Sequence, residues 1–364
     1  MKNIFVTGTA LRSAQKIKVQ FKALDEKSVL TNMRSAPALM REGLELGLSL
    51  NPGIGLRGIR NIVMSGMGVS GSHMSVISNL TQNPQHGLDI PVYSCQNFNL
   101  PSFVNGNSLV LINSYRGGTA EAISCLTEAR ERNAIIFAFT RGGALEEAAC
   151  AGNIPVVKLP QGVQTLSSSP LFIGATAGLL ANLRLSDFSL VSSIRGSIND
   201  ISNINDDLAS NPWKTNIAKQ IARILLGKIP FLISSEGVND SISSCWTLQL
   251  NEMPKIIVKH ASLPEFTHTE IHSLGTFGLT KEDLDKFVFI FFRHSSEPEK
   301  MSKRIDTVQT LIKQKGASFL DISVDGSNFE QLYLPITLGN YTAYYLANLR
   351  GVDPSIHGLE ITLR

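Results

Sequence analysis

The chain has 364 residues, of which 43% are hydrophobic and 17% charged, and its formal net charge is +3. This composition is typical of a globular protein with a large core, and the length suits two domains of common size. The charge is too small to indicate binding to nucleic acid or to an anionic membrane surface, and the sequence has no dense run of Lys and Arg. We therefore expect neither nucleic acid nor a membrane among its partners.

The cysteines and the first residues bear on the cellular compartment. The four cysteines are scattered and form no Cys-x-x-Cys pair, which is typical of buried thiols in a reducing compartment. The apolar residues 4–11 are interrupted by Thr7, Gly8 and Thr9, and no clean signal-peptide cleavage site follows them. No segment approaches the length of a transmembrane helix. These features predict a cytoplasmic protein.

The first half of the chain alternates between short strands and helices. The first thirty residues are weakly patterned, and a helical pattern then runs from about Ser28 to a turn at 51–55. The apolar periodicity predicts strands at 61–65, 92–95, 109–112, 135–140 and 156–159. It predicts helices at 70–80, from 119 onward, and at 169–183. Such an alternation is typical of a parallel sheet that is covered on both faces.

A second alternation follows a stretch rich in Ser, Asn and Asp. Residues 187–211 are predicted to connect two domains, and four isoleucines spaced through them favour a connecting helix. Predicted strands then lie at 231–234, 287–292 and 318–322, between helices at 213–226, 242–250, 298–315 and 332–350. Segments 109–140 and 287–323 share one order of strand, polar turn, helix and strand, which indicates a structural duplication. We predict an α/β protein of two doubly wound parallel-sheet domains in tandem with a C-terminal helix, divided as an N-terminal segment and helix (1–40), a first domain (41–186), a connection (187–212) and a second domain (213–364).

The turn between strand 109–112 and the helix that follows it is suited to an anion. Ser114 and Thr119 bracket a turn that contains two glycines. The first amides of the following helix point into this turn without helical partners, and the hydroxyl groups add donors, an arrangement that most often binds phosphate. The alternative is an ordinary helix cap, in which Thr119 caps the helix and Glu121 favours its start.

The turn after strand 61–65 supplies a second candidate. Residues 66–71 match the pattern Gly-x-Gly-x-x-Gly between a strand and a helix, so a dinucleotide site competes with a simple anion site. The next strand ends in Gln96 and Asn97 rather than in the acid that binds a ribose, which argues against a dinucleotide. Ser70 makes this a second hydroxyl-bearing turn beside the first, at the edge where ligands bind such sheets.

Several stretches together carry a resemblance to a known family. The segments Ser114-Tyr-Arg-Gly-Gly-Thr-Ala-Glu121 and Leu263-Pro-Glu-Phe-Thr-His-Thr-Glu270 are similar to the phosphate loop and the acidic–His block of the sugar isomerase (SIS) proteins, in their bifunctional phosphoglucose/phosphomannose isomerase subfamily. The strand and turn at 62–70, the Gly-Gly turn at 140–145, the Gln-Leu-Asn-Glu at 249–252 and the Gly-Val-Asp-Pro at 351–354 also resemble that subfamily. The resemblance covers the chain from about residue 28.

The resemblance implies a function and a set of site residues. It implies an isomerase that converts glucose 6-phosphate or mannose 6-phosphate to fructose 6-phosphate through an enediol(ate), without a cofactor, as a homodimer with a shared active site. Glu252 would be the proton-transfer base, and His268, sixteen residues further on, would open the sugar ring from the other subunit. The implied residues for binding the sugar phosphate are Gly68, Ser70, Ser114, Thr119, Gln164 and Arg364.

Without the family, two of these residues have other interpretations. Glu252 then has the pattern of a surface carboxylate at the end of a helix. His268 and His272 flank Glu270, but this spacing is not the His-Glu-x-x-His arrangement and a third ligand is not evident, so we predict no metal site.

Departures from the family pattern leave the activity open. Arg116 replaces a serine of the phosphate loop, and the family's Gln-Pro-Arg, whose arginine stabilises the enediolate, is here Gln164-Thr-Leu166. The family's C-terminal lysine is replaced by a segment that ends in Arg364. Arg116 either points to solvent in a degraded loop, or it reaches across and restores as a catalytic residue the charge lost at Leu166. The protein is accordingly an isomerase, favoured by Glu252 and His268, or a catalytically silent sugar-phosphate sensor, favoured by the lost arginine.

Overall fold

The computed structural model of the chain describes residues 4–11, 24–51, 58–82, 88–210, 212–235, 237–275 and 278–356. These residues form two compact units. One unit comprises Ser35–Asn199, and the other comprises the described parts of 1–34 and 200–360.

The helices and strands follow one another along the chain. Up to residue 210 they are β1 (Ile4–Thr7), α1 (Val29–Arg34), α2 (Ala36–Ser49), β2 (Asn61–Gly66), α3 (Val69–Gln82), β3 (Val92–Cys95), β4 (Ser108–Asn113), α4 (Ala120–Glu131), β5 (Ile135–Thr140), α5 (Ala144–Ala151), β6 (Val156–Lys158), α6 (Ser169–Asn182) and α7 (Ser189–Ser210). The remainder are α8 (Ile217–Leu225), β7 (Ile229–Ser235), α9 (Val238–Glu252), β8 (Lys259–Leu263), α10 (Lys281–Leu284), β9 (Phe287–His294), α11 (Glu299–Gln314), β10 (Ser318–Val324) and α12 (Asn328–Leu349).

The unit Ser35–Asn199 is built on a parallel sheet with strand order β3-β2-β4-β5-β6. Leu109, Val110, Leu111 and Ile112 of the central strand are all fully buried, as expected for a strand covered on both faces. Helices α2 and α6 pack closely through glycines: a Cβ at Gly43 would lie 2.2 Å from the carbonyl oxygen of Leu171. This covering leaves the carboxyl ends of the strands for the polar turns.

The other unit has the sheet order β1-β10-β9-β7-β8. Strands β7 to β10 are parallel, whereas β1 pairs antiparallel with β10, with Ile4 opposite Val324. Neither β1 nor β8 was predicted, because β8 reads Lys-His-Ala-Ser-Leu and β1 is a short apolar run that ends at Thr7, so neither has a clear strand pattern. Helix α12 covers this sheet and is almost wholly buried along its 22 residues.

The structure confirms the predicted α/β fold of two doubly wound sheets with a C-terminal helix, and it corrects details. The helical pattern from Ser28 is two helices, because Pro37 begins a new one within the first turn after Ser35. The expected connection 187–212 lies mostly within one continuous helix, α7, and the two units meet at residue 199 of that helix. Among the described residues, no helix combines the length and the hydrophobicity needed to cross a lipid bilayer.

Candidate active site

The turn that follows β4 holds two hydroxyl groups close together. Ser114 and Thr119 are joined by a hydrogen bond of 2.8 Å between their hydroxyl oxygens. Thr119 occupies the N-cap position of α4, but its side chain makes no capping hydrogen bond. Thr119 is therefore the N-cap by position, as the alternative expects, but its hydroxyl is turned toward Ser114 across the turn instead of capping the helix. The first amides of α4 are left for another acceptor.

The turn that follows β2 lies directly against this loop. The buried hydroxyl of Ser70 accepts a hydrogen bond of 3.2 Å from the backbone N–H of Tyr115. Gly68, just before α3, has a φ of +53°, which favours glycine. The structure thus brings together Gly68, Ser70, Ser114 and Thr119, four residues predicted to bind phosphate. Gln96 lies at the start of α3, where a Cβ on Gly71 would be 2.5 Å from its side-chain nitrogen, so an amide stands where a dinucleotide site needs a carboxylate.

An uncharged layer supports the phosphate loop from behind. Asn113 donates from its side chain to the carbonyl oxygens of Ser65, at 3.1 Å, and Leu111, at 3.0 Å. His73 is fully buried and stacks on Phe172 with the ring centroids 4.5 Å apart. Burial lowers the pKa of His73 to about 3, so this imidazole is neutral and adds no charge beneath the loop.

A glycine lets the phosphate loop pack on the turn after β5. Gly117 has a φ of +72°, and its carbonyl oxygen accepts a hydrogen bond of 2.8 Å from the N–H of Leu145. A Cβ at Gly117 would lie 1.8 Å from the carbonyl oxygen of Gly142, which only glycine permits. At the neighbouring Gly118 the same atom would meet nothing within 4 Å. The Gly-Gly turn at 142–143 therefore acts as a platform for the loop.

Tyr115 ties the phosphate loop to the segment 160–165. Its buried hydroxyl donates to the carbonyl oxygen of Pro160 at 2.9 Å and accepts from the N–H of Val163 at 3.1 Å. The guanidinium of Arg141 lies over the Tyr115 ring, 5.3 Å from its centroid. Sequence reasoning missed this tyrosine as a positioning group; a large aromatic residue inside a polar turn was the available signal.

Arg116 reaches the same segment. Although the side chain is exposed, its Nε donates a hydrogen bond of 3.1 Å to the hydroxyl of Thr165. Thr165 stands between Gln164 and Leu166, at the start of a short 3-10 turn for which Gln164 is the N-cap. The guanidinium therefore lies beside the position where the family pattern has its arginine, which is the placement that the relocated-charge interpretation requires.

Glu252 is the last residue of α9 and is not the exposed carboxylate that its position suggested. The side chain is half-buried, and its Oε2 is buried without a hydrogen-bond partner among the described residues. Burial raises the pKa of this carboxyl group, and the nearby Lys255 partly opposes the rise. A carboxylate in such surroundings is a stronger base than one in water. The sequence analysis did not single out Lys255 as the charged neighbour of Glu252.

His268 lies in the same unit as Glu252. It is exposed and follows the 3-10 turn Glu265–Thr267, where its backbone N–H donates to the carbonyl oxygen of Glu265 at 2.8 Å. No hydrogen bond or ion pair joins these two described side chains. Glu270 forms an ion pair of 3.1 Å with Lys259, and the described residues contain no cluster of three His, Cys, Asp or Glu that could hold a metal ion. Arg364 lies outside the described residues.

Comparison with known proteins confirms the resemblance. Residues 214–358 match the family model of the bacterial phospho-glucose isomerase C-terminal SIS domain. A bifunctional phosphoglucose/phosphomannose isomerase of Thermoplasma volcanium is 30% identical over 296 residues, which cover 80% of this chain and 86% of that relative. A relative of the same name from Caldicellulosiruptor bescii is 26% identical over 325 residues, or 88% of this chain and 93% of the relative.

Solved structures share the fold at lower identity. Tagatose-6-phosphate ketose/aldose isomerase of Escherichia coli aligns with a TM-score of 0.62 at 14% identity, over 94% of this chain and 98% of that chain. The C-terminal domain of glucosamine-fructose-6-phosphate aminotransferase from Francisella tularensis aligns with a TM-score of 0.64 at 13% identity, over 90% and 97%. Since the sequence match to the Thermoplasma volcanium relative spans more than two thirds of both chains, this chain belongs to the bifunctional phosphoglucose/phosphomannose isomerase family.

Proposed function

We propose that this protein is an aldose–ketose isomerase of hexose 6-phosphates, which interconverts glucose 6-phosphate or mannose 6-phosphate with fructose 6-phosphate. The observation that carries the proposal is Glu252, a half-buried carboxylate with a raised pKa and an unpaired buried oxygen, in a chain whose relatives are bifunctional isomerases. A silent sensor has no need of such a base. The relatives are named as isomerases, which also favours an enzyme over the sensor.

The phosphate of the substrate binds at the loop between β4 and α4. The hydroxyl groups of Ser114 and Thr119, with Ser70 beside them, and the free amides at the start of α4 are donors, as a phosphate dianion requires. Gly68 keeps the neighbouring turn close to the ligand. Gln164 and Arg364 complete the proposed set of residues that bind the sugar phosphate.

Glu252 and His268 carry the proton transfers. His268 opens the ring by helping the proton of the C1 hydroxyl move to the ring oxygen, which breaks the bond between C1 and that oxygen. Glu252 then takes the proton from C2 of the open aldose, and the electron pair left behind forms the enediol(ate). Return of that proton to C1, together with transfer of the C2 hydroxyl proton to the oxygen on C1, gives the ketose, so the substrate keeps its atoms and its oxidation level.

Arg116 stabilises the negative charge that develops on the enediolate oxygens. The hydrogen bond to Thr165 supports this role, because it holds the guanidinium beside the segment 164–166. Arginine is always charged and offers several donors in a fixed plane, so a single anchored Nε leaves the terminal amino groups for an oxyanion.

The proposal also includes the assembly and the compartment. The protein acts as a homodimer in the cytoplasm, and each active site takes His268 from the second subunit. The exposure of His268 and the lack of a bond between it and Glu252 within one chain support such an arrangement.

Hydrogen exchange at the sugar carbons tests the proposed reaction. In D2O, the wild-type protein should exchange the C1 and C2 hydrogens of fructose 6-phosphate and glucose 6-phosphate, as followed by proton NMR. Glu252→Gln should still bind the sugar phosphate but lose the exchange, because an amide cannot act as a base. Glu299→Gln removes an exposed carboxylate of the same unit, ion-paired among the described residues only with Lys303; it is the control and should retain the exchange. Wild-type exchange in Glu252→Gln would eliminate Glu252 as the base.

A further inference from the structure

The turn that follows α9 places a lysine against the end of the helix that carries Glu252. Lys255 has a left-handed backbone with φ +57°, which turns the chain back toward the helix. Its Nζ donates to the carbonyl oxygen of Glu252 and, at 3.4 Å, to that of Met253. The last carbonyl groups of a helix have no partners within it, and an ammonium group has three donors. Lys255 therefore closes the end of α9 on which the base is mounted.

Lys255 also lies in the field of two carboxylates. Its charge interacts with Glu252 and with Asp353, the acid of the Gly-Val-Asp-Pro segment at 351–354. Asp353 is held in place by the backbone N–H and the hydroxyl of Ser355, at 2.7 and 2.6 Å, and by the N–H of Glu26 at 3.2 Å. The proposed roles of the phosphate loop and of Glu252 leave the segment 351–354 without a function. Its Asp353 is the residue that links this segment to Lys255.

The electrostatic balance at Glu252 depends on this lysine. Burial of Glu252 favours the protonated acid, which cannot accept a proton from the sugar. Lys255 is the charged group that opposes burial at Glu252, and Asp353, itself facing Lys27, moderates the lysine. The ammonium is half-buried, so water screens it less than it would screen a surface charge.

We propose that Lys255 is a positioning residue of the isomerase: it fixes the end of α9 and keeps Glu252 in the carboxylate form between turnovers. This inference rests on the proposed role of Glu252 as the base. Lys255 need not touch the substrate, since its donors are directed at the backbone carbonyls of the helix end.

The test follows the protonation of Glu252 with and without catalysis. Carbon NMR of protein labelled with 13C at the glutamate carboxyls, with the Glu252 signal assigned by its loss in Glu252→Gln, reports the titration directly. The pH dependence of kcat/KM for fructose 6-phosphate reports it through the reaction. Lys255→Met should move both the titration and the acid limb of kcat/KM upward by about one pH unit, because an opposite charge has been removed.

Three further variants make the result specific. Lys255→Arg keeps the charge and should keep the acid limb within a few tenths of a unit. Asp353→Asn removes a negative charge and should move the limb downward. Lys315→Met is the matched control. Lys315 follows the last residue of α11, is half-buried, and donates to the carbonyl oxygen of Gly275 at 3.0 Å. Its loss removes a comparable structural hydrogen bond and should leave the acid limb of kcat/KM unchanged.

The two readouts separate the possible failures. An unchanged Glu252 titration in Lys255→Met overturns the inference, whatever the activity does. If the Glu252 titration shifts in Lys255→Met but Glu252→Gln keeps its activity, the proposed function is overturned. The electrostatic effect of Lys255 on Glu252 is then still supported. If Lys255→Met fails to fold, Lys255→Gln decides, because it keeps a donor for the carbonyl groups at the end of α9 but carries no charge: an upward shift supports the inference and an unchanged limb refutes it.

Discussion

Arg116 is the residue on which the proposed compensation for the arginine missing at Leu166 depends. The residue departs from the family pattern in the phosphate loop, while Leu166 departs from it in the segment 164–166. The hydrogen bond from Arg116 to Thr165 connects the two departures, because it places the extra cation beside the position of the missing one.

The prediction at this scale is that Arg116→Ser impairs catalysis, although it restores the family's own residue. The turnover of fructose 6-phosphate should fall about 100-fold, as for other lost donors to a developing oxyanion. Leu166→Arg in the same background should recover most of it. Arg195→Ser, which breaks an exposed ion pair with Glu45 in the same unit, is the control and should leave turnover unchanged. Turnover that stays intact or rises in Arg116→Ser would show that Arg116 is only a surface substitution.

At the scale of elements, the phosphate loop depends on how closely its turn approaches the turn after β5. Two adjacent glycines differ sharply in this respect. Gly117 combines a positive φ with a backbone neighbour where a side chain would be, and Gly118 has neither constraint. Gly117 is therefore the residue that sets the distance between the loop and its platform.

The matched pair Gly117→Ala and Gly118→Ala tests this dependence. Alanine at Gly117 should force the turns apart and weaken binding of fructose 6-phosphate tenfold or more, since the strained backbone alone costs about 1–2 kcal/mol. Alanine at Gly118 should change the affinity less than about threefold, a difference below 1 kcal/mol. Titration calorimetry measures both. Equal effects at the two positions would mean that the packing of the turns does not govern binding.

Elements with a clear apolar pattern could be predicted from the sequence, and elements without one could not. Strands β2, β4 and β5 are continuous apolar runs, because a strand covered on both faces must be apolar throughout. Strand β8 reads Lys-His-Ala-Ser-Leu and β1 is an apolar run that ends at Thr7, so neither carries a pattern that marks it as a strand. The same limit applies to the site. The hydroxyl groups of Ser114 and Thr119 lie in one turn, whereas the partners of Tyr115, Arg116 and Lys255 depend on the folded chain.

At the scale of the whole molecule, the proposed homodimer predicts that two inactive variants can restore each other. If Glu252 and His268 of one site come from different subunits, a mixed dimer of Glu252→Gln and His268→Ala contains one intact site and one doubly altered site. Random exchange of subunits should therefore recover roughly a quarter of the wild-type activity. The measurement is an isomerase assay after co-refolding, with each variant refolded alone as the control. A mixture that is proven to contain heterodimers and stays inactive would contradict the shared site.

The antiparallel strand β1 ties the order of synthesis to the order of folding. Residues 4–7 leave the ribosome long before their partners at 321–324 are made. At typical rates of translation the wait is on the order of 15 to 60 s. During that time the unit Ser35–Asn199 can complete its sheet, while β1 waits for β10; once β10 has been made, its edge stays open until β1 pairs with it. A fusion partner that holds residues 4–7 would prolong this stage and leave an open edge, which is the surface through which nascent β proteins associate.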